Sequence, residues 1–276
     1  MFYLLVDSNV ISRLVLPSEA MAKKRANLYK SNSSEPFTIS RSKIALYLEC
    51  PQCFWLDRKL GISRPDMPGW SLNSAVDALL KNEFDTLREQ QQPHRLMLFH
   101  RVEAIPFSHP ELHIWRDDHN KRMGATALHK KTNLNVTGII DDIWKSTKSD
   151  ELHIVDYKST STEYPISLDS KYKEGYKRQM EVYQWIFRQL GFAISNVGYF
   201  LFANATRNRP GFHGKLEFEN SIIPYNADDT WVEPTLIKIK TALESPQIPD
   251  SNKECQYCAY RKMISSESLK TQISLI

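Results

Sequence analysis

The chain lacks an apolar run long enough for a membrane-spanning helix, which needs roughly 18 uncharged residues. Its first segment, MFYLLVDSNVISRLVLP, is apolar in character but is interrupted by Asp7 and Arg13, and it has neither a basic n-region nor a small-residue cleavage site. The sequence also lacks an internal repeat. We therefore expect no signal peptide and no membrane partner, and we predict a cytoplasmic protein.

Neither positive nor negative charge is in large excess. The 36 Lys and Arg residues against 32 Asp and Glu residues give a net charge of +4, and the isoelectric point is near 8.7. Such a balance permits a polyanionic partner without requiring one. With 41% hydrophobic residues in 276, the chain can bury a core, so its function has to be argued from motifs.

Cysteine is scarce, and its placement is regular. The four cysteines form two C-x-x-C pairs near opposite ends of the chain, Cys50 with Cys53 and Cys255 with Cys258. In a reducing cytosol they are expected to be metal ligands or core thiols rather than disulfides. Four thiolates suffice for tetrahedral zinc or for an iron-sulfur cluster, whereas burial as core thiols explains single cysteines better than spaced pairs.

Hydrophobic spacing predicts helices and strands over most of the chain, while residues 94–136 stay ambiguous. Helices are predicted in SRSKIALYLEC, SLNSAVDALLKNEFDTLREQQ, SKYKEGYKRQMEVYQWIFRQL and TWVEPTLIKIKTALES, and strands in VTGIIDDIW, LHIVDYK, ISNVGYFLFAN and GKLEFENSIIPY. The predicted class is α/β (α+β), with a central mixed β-sheet flanked by helices.

Two of the predicted strands form a hairpin around the turn KSTKSDE. A turn centred between Lys148 and Ser149 places Asp141 directly opposite Asp156. Opposed residues have Cβ atoms about 5 Å apart, a separation at which two carboxylates repel unless a cation lies between them. Lys158 follows Asp156 on the same face of its strand.

Two converging carboxylates suit Mg²⁺ or Mn²⁺, which prefer oxygen ligands. Such a cation polarises a phosphodiester oxygen and lowers the pKa of a bound water, and a nearby lysine can orient that water or stabilise charge on the phosphate. This chemistry indicates phosphodiester hydrolysis. The alternative is a solvated cross-strand ion pair. Asp142 points to the opposite face of a regular strand, and a bulge would exchange its role with that of Asp141.

The strands TGIIDDIW and LHIVDYKS resemble the G-x-x-D and D-x-K strands of the PD-(D/E)XK nuclease superfamily, in its RecB-like, CRISPR-associated exonuclease-like branch. QMEVY resembles the branch's Q-x-x-x-Y motif, and SRSKIALYLECP resembles its opening helix. The resemblance implies a restriction-endonuclease-like core. It implies Asp141 and Asp156 as metal ligands, Lys158 as the catalytic lysine, and Gln179 and Tyr183 as active-site or DNA contacts.

The first helical motif of that family departs from the usual pattern. It normally supplies a His as a further ligand, but GWSLNSAVDALLKNEFD contains none. Asp77, on the same predicted helix, is therefore our candidate for the third metal ligand, with a solvent-facing role as the alternative. Glu83 and Asp85 rank lower.

Some members of the branch hold a four-iron four-sulfur cluster with one early and three late cysteines, which ties the chain ends together. Here the third late cysteine is missing, and Cys53 restores the number to four. The resemblance thus predicts a 4Fe-4S cluster on Cys50, Cys53, Cys255 and Cys258, with a structural Zn²⁺ ion as the alternative. In either case the four-cysteine metal site joins the chain ends and stands apart from hydrolysis.

We predict an N-terminal extension or linker over residues 1–35, a nuclease domain over residues 36–265 and a tail over residues 266–276. The resemblance implies a metal-dependent DNA nuclease that acts on single-stranded or end-containing duplex DNA, with a helicase or a CRISPR or repair protein as a partner. KYKEGYKR and TRNRPGFHGK mix basic and aromatic residues as a DNA track does. The alternative is a catalytically silent DNA-binding or scaffold module that retains the four-cysteine site.

Overall fold

A computed structural model of the protein describes residues 27–66, 69, 71–117, 123–170 and 173–273, with side chains described to residue 266. The elements in chain order are β1 (Phe37–Ser40), α1 (Arg41–Glu49), α2 (Pro51–Trp55), a π-helical turn (Leu56–Leu60), α3 (Ser71–Gln90), α4 (Arg95–Phe99), β2 (Ala104–Pro106), α5 (Leu112–Trp115), β3 (Ala125–His129), β4 (Leu134–Gly138), β5 (Asp142–Ser146), β6 (Leu152–Thr160), α6 (Glu174–Gln189), β7 (Val197–Ala205), β8 (Phe218–Asn226), α7 (Val232–Glu244) and α8 (Gln256–Ile273).

The strands form two sheets. The larger has the order β2-β5-β6-β7-β8 and the smaller β1-β4-β3. Each is mixed, since β6 pairs with β7 in parallel, β1 pairs with β4 in parallel, and the other pairs are antiparallel. Helix α6 packs against strands of both sheets, whereas α3 packs on the larger one. The predicted class, a mixed sheet flanked by helices, is confirmed, with the sheet divided in two.

The larger sheet buries apolar side chains on both faces. Ile154 and Phe200 belong to the core on the α6 side, and Phe84, Val155 and Tyr157 belong to the core on the α3 side. Alternate residues of β6 therefore face different helices, as the two-residue period of a strand requires. Asp156 and Lys158 share the α6 face.

The prediction of one continuous strand in VTGIIDDIW is wrong. Strand β4 ends at Gly138 in the smaller sheet and β5 begins at Asp142 in the larger one. Between them the Ile140 N–H donates to the carbonyl of Trp115 at 3.1 Å rather than to a neighbouring strand. The predicted register is nevertheless confirmed, because Asp142 pairs with Val155 and Ile143 with Ile154. Asp141 thus lies opposite Asp156, one residue outside the ladder.

Helix α3 is confirmed, but its buried face is narrower than the apolar spacing predicted. Leu80 and Phe84 are buried together with Arg88, whereas Leu72 and Leu79 are 60% and 67% exposed. The C-terminal half of α3 lies on the core of the sheet. Its N-terminal half, which carries Asp77, is accessible to solvent.

Chain segments outside the predicted nuclease domain, residues 27–35 and 266–273, contact the domain or continue its last helix. Tyr29 packs edge-on against Phe37 with 5.1 Å between ring centroids, and it hydrogen-bonds Glu244 and Lys240 on α7. At the other end, α8 continues beyond residue 265 to Ile273. Residues 1–26, with most of the predicted extension, lie outside the described residues. Within the described part, no helix combines the length and the apolar character needed to cross a bilayer.

Candidate active site

The residues of the predicted D-x-K and Q-x-x-x-Y motifs meet between β6 and α6. Asp156 is fully buried. Its Oδ1 accepts a hydrogen bond of 2.7 Å from Gln179 Nε2, and its Oδ2 contacts the ammonium group of Lys158. Gln179 Nε2 also donates to the hydroxyl of Tyr183 at 3.1 Å. The expectation that Gln179 and Tyr183 share a helical face is confirmed; their catalytic roles stay predictions.

Asp141 joins this group from the connection between the two sheets. Its Oδ2 accepts the backbone N–H of Tyr157 at 2.7 Å. Burial, followed by the negative charge of Asp156, raises the pKa of Asp141 to about 6, against the opposing influence of Lys158 and Lys81. Because the charge of Asp156 disfavours that of Asp141, the two carboxylates form an oxygen donor set that fits a hard divalent cation.

Lys158 is held in its charged form. Burial disfavours the ammonium, but the charges of Asp156 and Asp141 outweigh that effect and raise the pKa of Lys158. The ammonium also lies 4.8 Å from the ring centroid of Tyr176, within cation–π range. At neutral pH in the metal-free site the group therefore carries positive charge and can donate hydrogen bonds.

Asp77 on α3 lies close enough to Asp141 for their charges to interact. Its carboxylate pairs with Lys81 at 2.9 Å, and its pKa is raised by burial and then by the charge of Asp141. A cation near Asp141 would also be attracted to Asp77. Its role as the third ligand stays a prediction.

The lower-ranked acids on α3 have structural partners. Glu83 contacts His94 Nε2 at 2.8 Å. Asp85 accepts hydrogen bonds of 2.7 and 2.8 Å from Arg116 and one of 3.1 Å from Arg88. Both carboxylates thus connect α3 to neighbouring segments, Glu83 through His94 and Asp85 through Arg116.

Asp142 faces away from the site, as a regular strand predicts. It is fully buried and accepts hydrogen bonds from Arg88 Nη2 at 2.6 Å, the Tyr157 hydroxyl at 2.9 Å and Trp144 Nε1 at 3.2 Å. No bulge exchanges its role with that of Asp141. Asp142 anchors α3 to the larger sheet.

Three basic residues near the site were missed by the sequence reasoning. Arg41 hydrogen-bonds Tyr183, Lys81 acts on Asp141, and the pKa of Lys173 is lowered by burial and then by the charge of Lys158. Two of them lie in segments that the sequence had singled out. Arg41 belongs to SRSKIALYLECP, which resembles the opening helix of the family, and Lys173 belongs to the DNA track KYKEGYKR. The spacing of α3 offered no such signal for Lys81.

The second predicted DNA track is partly neutralised by its own residues. In TRNRPGFHGK, Arg209 pairs with Glu217 at 2.7 Å and Lys215 pairs with it at 2.9 Å. These exposed pairs leave less free positive charge than the sequence suggested. In KYKEGYKR, Lys177 likewise pairs with Glu174 at 2.9 Å, so Arg41 and Lys173 are the candidate phosphate contacts beside the acids.

The glycine of G-x-x-D provides room for Tyr183. A Cβ added at Gly138 would lie 2.6 Å from Tyr183 Cε1 and 2.8 Å from its Cδ1. We expect Gly138→Ala to cost about 1–3 kcal/mol of unfolding free energy, as overpacking does, and to displace the tyrosine. Urea denaturation provides the measurement.

Gly175→Ala on α6 is the matched control, because a Cβ there would meet no atom within 4 Å. It should be neutral or slightly stabilising, since alanine favours a helix over glycine. Equal stability of the two variants would contradict the close contact at Gly138.

The raised pKa of Asp141 predicts a stability change with pH. Its folded value of about 6 exceeds the ordinary value of 3.8, so its stabilising contribution is complete below the ordinary value and is lost as pH rises through about 6. With metal chelated, Asp141→Asn should therefore gain stability relative to the wild type between acidic and neutral pH. Urea denaturation at several pH values measures this, and Asp150→Asn, a 99% exposed acid in the turn, is the control. A difference that does not grow with pH would contradict the prediction.

The four cysteines form a separate cluster. Cys50, Cys53, Cys255 and Cys258 are all buried, and their sulfurs lie within 4.8 Å of one another. The prediction that the two pairs meet is confirmed, so residues near both ends of the described chain join at a site that could hold a metal ion.

Comparison with known families agrees with these observations. The family model of the PD-(D/E)XK nuclease superfamily matches residues 38–263. No curated protein sequence matches the chain at a significant level. The matched range is most of the chain and contains both the acidic site and the four cysteines.

Proposed function

Because the chain belongs to the PD-(D/E)XK nuclease superfamily, whose members are generally hydrolytic nucleases, we propose that it is a deoxyribonuclease that depends on Mg²⁺ or Mn²⁺. We further propose that it is an exonuclease of the RecB-like type. The observation that best supports metal-dependent cleavage is the convergence of Asp141, Asp156 and Lys158. Gln179, from the predicted Q-x-x-x-Y motif, is hydrogen-bonded to Asp156 in the same group.

Asp141 and Asp156 would hold the cation, with Asp77 as a third ligand. When bound, the cation supplies Lewis-acid polarisation of the phosphate and a water of lowered pKa. Gln179 fixes Oδ1 of Asp156 through its hydrogen bond and so orients the carboxylate. Lys158 keeps its proton and donates hydrogen bonds to the phosphate or to the attacking water, where negative charge develops.

The basic residues around the acids would position the DNA backbone. Arg41, Lys81 and Lys173 act electrostatically on Tyr183, Asp141 and Lys158 or lie within their reach. Contacts to phosphates fix the register of a strand without reading its sequence. We propose a substrate that is single-stranded or an end-containing duplex, with a helicase or a CRISPR or repair protein as the partner that supplies such ends.

The proposal is tested with the full chain and end-labelled DNA. Linear single strands, linear duplexes and covalently closed circles are incubated with Mg²⁺, with Mn²⁺ or with a chelator. We expect cation-dependent degradation of linear DNA and intact circles. Cutting of the circles would contradict the exonuclease assignment. Binding of DNA without any cleavage under either cation would support a silent DNA-binding or scaffold module instead.

A further inference from the structure

The four-cysteine cluster has sulfur separations that identify the kind of metal it fits. Cys50 lies between α1 and α2, Cys53 lies in α2, Cys255 directly precedes α8, and Cys258 lies in its first turn. The Sγ atoms are 3.7 Å apart for Cys50 and Cys258, 3.7 Å for Cys53 and Cys255, and 3.5 Å for Cys53 and Cys258. These values are too long for a disulfide, whose sulfurs are about 2 Å apart.

A single tetrahedral ion accounts for these separations. Zinc binds thiolates at about 2.3 Å, and the edge of the corresponding tetrahedron is about 3.8 Å. The observed sulfur separations are close to that edge. Four thiolates also fill every position of such an ion, which is typical of structural and not of catalytic zinc sites.

A four-iron four-sulfur cluster does not fit. In a cubane each thiolate binds a different iron, so that any two thiolate sulfurs lie on the order of 6 Å apart. All four sulfurs here lie within 4.8 Å of one another. The cluster that the family resemblance implies therefore disagrees with the geometry of these side chains.

The surroundings of the sulfurs favour ligated thiolates over packed core thiols. Arg64 Nη2 donates to Cys255 Sγ at 3.4 Å, and the backbone N–H of Cys258 donates to the same sulfur. The Arg64 guanidinium is itself held by Glu49 at 2.7 Å and lies 4.5 Å from the ring centroid of Tyr257. Outer donors of this kind orient metal ligands and offset the negative charge that four thiolates bring.

We propose that Cys50, Cys53, Cys255 and Cys258 bind one Zn²⁺ ion that joins α1 and α2 to α8. The ion is structural, and because zinc has no accessible redox change, the metal itself takes no part in electron transfer. This inference does not depend on nuclease activity, and its test can fail or succeed independently of the cleavage assay.

The test measures metal content directly. The full chain is expressed with iron and zinc both supplied, purified without oxygen and without a metal-affinity column, and analysed for metals, acid-labile sulfide and visible absorption. We expect a colourless protein with about one zinc ion per chain. Four irons with inorganic sulfide and a brown colour would overturn the proposal in favour of a cluster. A protein with neither metal that also fails to bind Co²⁺ would overturn it in favour of core thiols.

Two further measurements guard against loss or exchange of metal during preparation. Co²⁺ titrated into the zinc-depleted chain should saturate at about one ion per chain and produce the intense visible bands of a tetrahedral thiolate site. Saturation without those bands would contradict the four-sulfur site. Cys53→Ser should weaken zinc affinity at least tenfold in competition with a chelator, since even loss of an outer partner of a ligand costs about 10–100-fold; an unchanged affinity would overturn the assignment. If this variant does not fold, the cobalt spectrum of the unmodified chain still decides.

Discussion

Asp156→Asn is expected to lower cation-dependent DNA cleavage by roughly a thousandfold or more. The fully buried carboxylate contacts Lys158 and accepts from Gln179, and in our proposal it is a metal ligand. A bound cation contributes several kcal/mol of transition-state stabilisation, and each 1.4 kcal/mol is about tenfold in rate. Asparagine keeps the shape of the side chain and removes the charge, so the loss should appear in the rate of cleavage at saturating DNA.

Asp150→Asn provides the matched control, because Asp150 is a nearby acid that is 99% exposed in the turn. It should cleave DNA like the wild type. Lys158→Met should resemble Asp156→Asn in activity while retaining cation binding, which calorimetry with Mn²⁺ can measure. Cleavage that persists in both Asp156→Asn and Lys158→Met would refute the site assignment.

Asp142→Asn should cost about 3 kcal/mol of unfolding free energy, as the breaking of a buried ion pair does. Its carboxylate is the buried partner of Arg88 at 2.6 Å and also accepts from Tyr157 and Trp144. Without the negative charge, the Arg88 guanidinium retains Asp85 and the Phe107 carbonyl but loses its buried anion. Urea denaturation at neutral pH measures the change.

The neighbouring acid provides a sharp comparison. Asp141→Asn, measured in the same way with metal chelated, should leave the protein as stable as the wild type or more stable, because the charge of Asp141 is disfavoured in the fold. Of the two adjacent substitutions, only Asp142→Asn is therefore expected to lose stability. An equal loss of stability in both variants would mean that the structural and metal-binding roles of Asp141 and Asp142 are wrongly divided.

The sequence predicted correctly those features that depend on residues close together in the chain or on a repeated motif. The residues of the turn determined the register that sets Asp141 opposite Asp156, and the four-residue spacing of Gln179 and Tyr183 put both on one face of α6. The pairing of the two C-x-x-C motifs also followed from composition and spacing. Each of these inferences needed only the residues of one hairpin, one helix or one motif type.

The features that the sequence could not predict depend on contacts between elements that are far apart in the chain. The break between Gly138 and Asp142 depends on the pairing of β4 with β1 and β3, which lie outside the hairpin. Arg88 is polar in any pattern, and its burial depends on partners from other elements, Asp142 and the Phe107 carbonyl. Likewise, two spaced cysteine pairs do not specify the separation between their sulfurs, which depends on how α8 lies against α1 and α2.

The break in the motif strand has a thermodynamic consequence. Asp156 and Lys158 lie on one strand of the larger sheet, whereas Asp141 lies where the chain leaves the smaller sheet, held to β6 by its own side chain. Asp141 therefore lies at the junction of the two sheets, one residue outside the β5–β6 ladder that sets it opposite Asp156. A cation bound by both acids would stabilise this junction, and the ordered junction would favour the cation by the same free energy, because linkage is reciprocal.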